Sequence, residues 1–182
     1  MMARSHVPFA MTWWWLYCIA TGMSAVGLGT LIAGIGGLLP DLDHPKSALG
    51  RRLFFISVPL SALAGHRGVT HSLIAVGGVI AVLVAVTAMP EYTSYRWMVA
   101  PLCVGYLSHL AGDALTPSGA PLLYPIRKTY SLKLFRTGDW KETATIGAIG
   151  LLVFVFGGIG NQMLQTIEPF FYTLRSLRHQ LN

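Results

Sequence analysis

Four of the six histidines in this chain of 182 residues stand within five positions of an aspartate or another histidine, in a sequence with only seven acidic residues. The most informative pair is His109 and Asp113, in Ser108-His109-Leu110-Ala111-Gly112-Asp113. Four residues apart, they share one face of a helix and can grip one ion; a His–Asp hydrogen bond that satisfies both groups is the alternative. A second cluster, Pro40-Asp41-Leu42-Asp43-His44-Pro45, follows directly on an apolar run. It reads either as a polar helix terminus or as a ligand set, and aspartates at a helix C-terminus oppose the macrodipole, which favours a bound cation. The third is Gly65-His66-Arg67-Gly68-Val69-Thr70-His71-Ser72. Here glycines let the backbone bend so that His66 and His71 converge, and Thr70 or Ser72 caps a following helix whose first turn takes in His71. Histidine nitrogens with aspartate oxygens suit zinc best, manganese or iron next, and magnesium least. The ligand count allows one or two ions, and two are a common arrangement for phosphoester hydrolysis. Cys18 and Cys103 sit inside apolar runs, away from these clusters, and read as packing residues.

The elements that must position these residues are hydrophobic to an unusual degree. The chain is 53% hydrophobic and 11% charged, with a mean hydropathy of +0.57, more apolar surface than a soluble core of this size can hide. No charged residue falls between Arg4 and Asp41, Arg67 and Glu91, Arg96 and Asp113, or Glu142 and Glu168. Each of these runs is long enough to be a membrane segment. The first can be one long tilted helix or a hairpin turning at Thr21-Gly22-Met23-Ser24. Its apolar character continues to Leu39, which argues against a cleaved leader. The expected fold is therefore all-α: a multi-pass transmembrane helical bundle forming one domain over residues 1–182, with no internal repeat.

The net charge of +6 comes largely from the connections between apolar runs, so it reads as topology rather than as nucleic-acid binding. Lys46, Arg51, Arg52 and Arg67 fall in one loop and Arg127, Lys128, Lys133, Arg136 and Lys141 in another, whereas Glu91 to Arg96 is short and nearly neutral. By the positive-inside rule both basic loops face the cytoplasm, with antiparallel helices at about 72–89 and 97–115 between them. All three ligand clusters then fall at one cytoplasmic end. In the hairpin alternative His6 returns to that end as a further ligand, while His179 belongs to a polar, solvated tail.

The motifs Leu-Pro-Asp-Leu-Asp-His-Pro (39–45), Gly-His-Arg-Gly-Val-Thr-His-Ser (65–72) and Gly-Tyr-Leu-Ser-His-Leu-Ala-Gly-Asp-Ala-Leu-Thr-Pro-Ser-Gly (105–119) resemble the YdjM-like family, in its order and spacing over roughly residues 5–128. That family comprises bacterial inner-membrane proteins regarded as metal-dependent hydrolases and as distant relatives of zinc-dependent phospholipase C and P1-type nuclease. The resemblance implies phosphoester hydrolysis. It points to His6, Asp41, His66, His71, His109 and Asp113 as ligands, with Asp43 and His44 as further candidates. The second His-x-x-x-Glu pair of the soluble phospholipases is absent, which argues against a three-metal site. The expected function is thus a membrane-embedded, cytoplasm-facing hydrolase of a phosphoester such as a lipid head group. Asp43 or Asp41 is the candidate general base, and Arg67 the fork for the substrate phosphate. Rival readings are a non-enzymatic protein that conducts a metal ion and a scaffold holding a structural one. Conduction is disfavoured because residues 72–112 offer no ionisable step beyond His109 toward the far face.

Overall fold

The computed structural model describes residues 1–64, 68–126 and 128–180. The described residues are helical, with no strand beyond an isolated bridge between Ala120 and Tyr130. The helices are α1 (Ala3–Thr21), α2 (Leu28–Gly36), α3 (Phe54–Ala64), α4 (Leu73–Ala88), α5 (Val99–Leu115), α6 (Trp140–Phe156) and α7 (Ile159–Gln180). Short 3₁₀ segments occupy Pro40–Asp43, Val69–His71 and Pro90–Met98.

The first apolar run is a hairpin. α1 stops at Gly22, whose φ of +71° is left-handed and whose N–H closes on the Cys18 carbonyl. α2 then returns antiparallel: Gly29 lies against Trp14, Gly34 against Val7 and Met11, and Gly37 against Ala10. This brings the His6 carbonyl back beside Gly37, just ahead of the Pro40–Asp43 turn. Instead of a tight turn, a 3₁₀ segment leads from α4 into α5, and the two helices pack antiparallel, with Val76 meeting Tyr106 and Leu110 in one buried cluster.

α5 is the central element, in contact with α1, α2 and α4. Its approach to α2 is set by glycine on both sides. A Cβ at Gly105 would lie 2.1 Å from the Ala33 carbonyl oxygen, and one at Gly36 would lie 2.4 Å from the Leu102 carbonyl oxygen. α6 joins the bundle along α1, where Ile146 packs with Phe9.

The four expected membrane segments are shorter as helices than as charge-free runs. Among the described residues one continuous helix, Pro90–Leu115, is long and apolar enough to cross a bilayer. A second qualifies if Trp140–Phe156 and Ile159–Phe171, bent by 62°, count as one span. The reason is local. Gly22 and Gly27 divide the first run into helices of 19 and 9 residues, and Gly157-Gly158 break the last. The 16 residues of α4 extend only about 24 Å against a hydrocarbon core of about 30 Å.

Ionisable groups are buried beside the apolar clusters while large apolar side chains lie at the surface. His6, Asp43, His71, His109, Asp113 and Glu142 are buried, whereas Leu28, Val82, Leu151 and Phe156 are exposed. Such a distribution suits an apolar surrounding better than water.

Candidate metal centre

Each ring at the centre of the buried polar cluster is held by the nitrogen that faces away from it. His109, on α5, has Nδ1 at 2.7 Å from the Gly37 carbonyl oxygen, which accepts its proton. His71, at the end of its 3₁₀ turn, has Nδ1 hydrogen-bonded to the Thr70 hydroxyl at 3.1 Å and lies 3.3 Å from Asp43 Oδ2, to which that hydroxyl donates. With the protons on Nδ1, both Nε2 atoms carry lone pairs, yet they face each other at 3.3 Å. A hydrogen bond between them would require one ring to give up its donation to Gly37 or to the Thr70 hydroxyl that Asp43 backs.

Two carboxylates complete a cage around that gap. Asp113 Oδ2 is 3.7 Å from both Nε2 atoms, and Asp41 Oδ1 is 3.8 Å from both. Four ligands set about 2.0–2.1 Å from a tetrahedral ion stand roughly 3.3–3.4 Å apart. The donor set and the N···N and N···O separations, 3.3–3.8 Å, are close to those of a zinc-class site. Converging lone pairs and carboxylates repel one another unless a cation lies among them, so the residues present fit such an ion.

His6 and the other oxygen of Asp113 form an adjoining group with His109. The His6 ring is buried and stacks on His109 at a centroid separation of 3.7 Å. Neither of its nitrogens makes a hydrogen bond, and Nε2 lies 3.5 Å from Asp113 Oδ1. The same Oδ1 accepts from the Met1 amine at 2.5 Å. Asp113 therefore faces two neighbouring groups of donors with its two oxygens.

The supporting shell is continuous. The Thr70 hydroxyl donates to Asp43, and the Thr70 carbonyl accepts from the Tyr106 hydroxyl at 2.6 Å. Ser72 rather than Thr70 caps α4, accepting from Ala75 N–H. His71 consequently precedes α4 instead of lying in its first turn.

Of the sequence-derived site residues, the structure brings together His6, Asp41, Asp43, His71, His109 and Asp113. Asp43 does not face the cage. Fully buried, it backs His71 and is occupied by Thr70, whereas Asp41, with its side chain 19% exposed, is the carboxylate open to the outside. His44 belongs to neither ligand group; it terminates the Pro40–Asp43 turn, its backbone N–H bonding to the Asp41 carbonyl. His66 and Arg67 lie outside the described residues.

Sequence reasoning missed three contributors. The Gly37 carbonyl that orients His109 has no side-chain signature. Tyr106 stands one turn before His109 on α5, where an aromatic residue reads as apolar packing. Glu142, buried at the start of α6, accepts from the Met2 N–H at 3.0 Å and the Gly138 N–H at 2.7 Å, tying α6 to the start of the helix that carries His6. A carboxylate opening a long apolar run was the available signal.

Asp43→Asn keeps the shape of the group behind His71 but removes its charge. It is expected to weaken zinc affinity about 10- to 100-fold while leaving the folded yield intact. Competition against a chromophoric chelator measures this, and an unchanged affinity would deny Asp43 its supporting role.

Comparison with known sequences adds a family. Residues 1–175 match the family described as YdjM inner membrane protein. The inner membrane protein YdjM of Escherichia coli (strain K12) is 45% identical over 102 residues, covering 53% of this chain and 49% of the relative. The protein of the same name from Shigella flexneri matches equally. The chain thus spans about half the length of these curated relatives. Uncharacterized protein YvsG of Bacillus subtilis (strain 168) is 33% identical over 118 residues, covering 64% of this chain and 70% of the relative. No solved structure is matched significantly.

Proposed function

Because the chain belongs to the YdjM inner membrane protein family, we propose that it is a multi-pass inner-membrane hydrolase, dependent on a zinc-class ion and acting on a phosphoester such as a lipid head group. The observation that carries the metal dependence is the pair of Nε2 atoms facing each other at 3.3 Å, each with Asp113 Oδ2 at 3.7 Å and Asp41 Oδ1 at 3.8 Å. The hydrolytic reading rests on that donor set together with the motif resemblance.

When bound, an ion of this class supplies the Lewis acidity that makes water nucleophilic near neutral pH and offsets charge on a phosphoryl oxygen. The protein's own residues do the rest. His71 and His109 present Nε2 lone pairs because the Thr70 hydroxyl, backed by Asp43, and the Gly37 carbonyl hold their Nδ1 protons. Leu110, Val76 and Tyr106 are buried together beside them and keep bulk water from that flank. Asp41, partly exposed at the rim, is the carboxylate able to take a proton from an incoming nucleophile, while Arg67 is assigned the substrate phosphate.

Elemental analysis of detergent-purified protein should find one or two zinc-class ions per folded chain. A screen of phosphoester substrates should then find activity that a chelator abolishes and zinc restores. Metal without hydrolysis would favour a structural or transported ion, and stoichiometric absence of metal under mild purification would remove the proposal altogether.

The membrane topology is tested separately. Reporter tags inserted near Arg51 and near Lys133 should both report cytoplasm, and one near Thr93 the opposite face. Opposite locations for the first two would be incompatible with a single cytoplasm-facing site.

A further inference from the structure

α3 is built inside out. Its 11 residues extend about 16 Å, roughly half the hydrocarbon thickness of a bilayer. Among the described residues it packs on the Pro40–Asp43 turn. The side chain it turns inward is polar: Ser57 is fully buried, whereas Phe54, Phe55, Ile56 and Val58 are 64%, 61%, 43% and 52% exposed. A helix packed on a soluble protein shows the reverse pattern. α3 contains no charged residue, and the two that precede its neighbourhood on the chain are both cations, Arg51 and Arg52, both exposed. Arg52 donates to the Ala48 carbonyl at 3.2 Å, which leaves its charge unneutralised. No acidic residue occurs between Asp43 and Glu91. Exposed cations therefore adjoin a helix whose exposed side chains are aromatic and aliphatic, the combination that suits the boundary between the phosphate layer and the acyl chains.

We propose that α3 does not cross the membrane but lies in its plane, with Phe54, Phe55 and Val58 in the head-group boundary and Arg51 and Arg52 on the phosphates of anionic phospholipids. Its buried face rests on the turn that carries Asp41 and Asp43, so bound lipid lies beside the metal-ligand cage. The inference rests on the membrane environment proposed above and is independent of whether the cage hydrolyses anything.

The test uses the full-length protein in nanodiscs of phosphatidylcholine and phosphatidylglycerol, spin-labelled through Phe55→Cys. Phe54→Cys and Val58→Cys serve as separate variants should one misfold, and the exposed Val82→Cys on α4 is the depth reference. Cys18 and Cys103 are buried and stay unlabelled. Power saturation with oxygen against a water-soluble nickel chelate should place the α3 labels about 5–10 Å below the phosphates, and the Val82 label deeper. α3 labels in water with the Val82 label in lipid would overturn the proposal while leaving the membrane reading intact. Both in water would overturn both. α3 labels as deep as Val82 would make α3 part of a span, and shielding from both relaxants would mean a second protein copy covers it; either outcome overturns the proposal. Brominated phosphatidylglycerol should quench a fluorophore at the Phe54→Cys position in preference to brominated phosphatidylcholine. That preference should fall by about fivefold for each of Arg51→Gln and Arg52→Gln. An equal response to the two lipids would overturn the anionic-lipid assignment.

Discussion

His109→Ala is expected to lower zinc affinity by more than about 100-fold, beyond what the loss of an outer-shell partner costs, and to abolish any phosphoesterase activity with it. His109 is the residue common to both ligand groups. Asp113→Asn should act in parallel, because the two carboxylate oxygens serve adjoining groups. The competing reading, a mere His–Asp hydrogen bond, predicts something else: removal of either partner strands a buried polar group, at about 1–3 kcal/mol, and the metal content of the surviving folded protein does not change. His109→Ala also strands the Gly37 carbonyl, so metal must be counted per folded molecule, after size-exclusion chromatography in detergent. Unchanged occupancy in both variants would remove the pair from the site. His44→Ala is the matched comparison. It lies outside both groups and should retain its metal.

Gly105→Ala is expected to destabilise the fold by about 1–3 kcal/mol and to reduce metal occupancy, although it adds one methyl group at a position that is not itself a ligand. The added carbon would stand 2.1 Å from the Ala33 carbonyl oxygen and 2.9 Å from the Gly37 nitrogen. Both are backbone atoms, so relief requires α2 and α5 to separate. That movement carries the Gly37 carbonyl away from His109 Nδ1 and frees the ring to turn. Gly77→Ala on α4 provides the contrast, since a Cβ there meets nothing within 4 Å and the change improves helix propensity by up to about 1 kcal/mol. Thermal unfolding of the two variants in detergent, with and without zinc, reads the difference. Equal midpoints would show that the α2–α5 approach is looser than the glycine contact requires.

These expectations divide between what chain order reveals and what it hides. The ligand clusters were legible because ionisable residues are rare among apolar runs, so a histidine four residues before an aspartate stands out against its background. The structure gathers residues of all three clusters, although the multi-pass crossing count behind that expectation is met by only one continuous span among the described residues. The hairpin of α1 and α2 was one of two readings that Gly22 left open. The division of labour between Asp41 and Asp43 was not legible. They are two positions apart in one turn, and only the seating of that turn against Thr70 and His71 sends one behind the ring and the other to the rim. Span lengths were overread for a related reason: charge-free stretches show where lipid can lie, while glycines at positive φ decide where a helix stops, as at Gly22 and Gly158.

By itself the sequence determined the helical class, the apolar surroundings, the donor chemistry and the i, i+4 pairing of His109 with Asp113, because each depends on residue type and local spacing. The tertiary structure alone decided which nitrogen of each imidazole is free. That choice belongs to groups distant in the chain: the Gly37 carbonyl, 72 residues from His109, and the Asp43 carboxylate, which accepts from the Thr70 hydroxyl and leaves that hydroxyl's oxygen to accept from His71. A carbonyl has no residue type to betray it, and its position follows from how closely two glycine-bearing helices can approach.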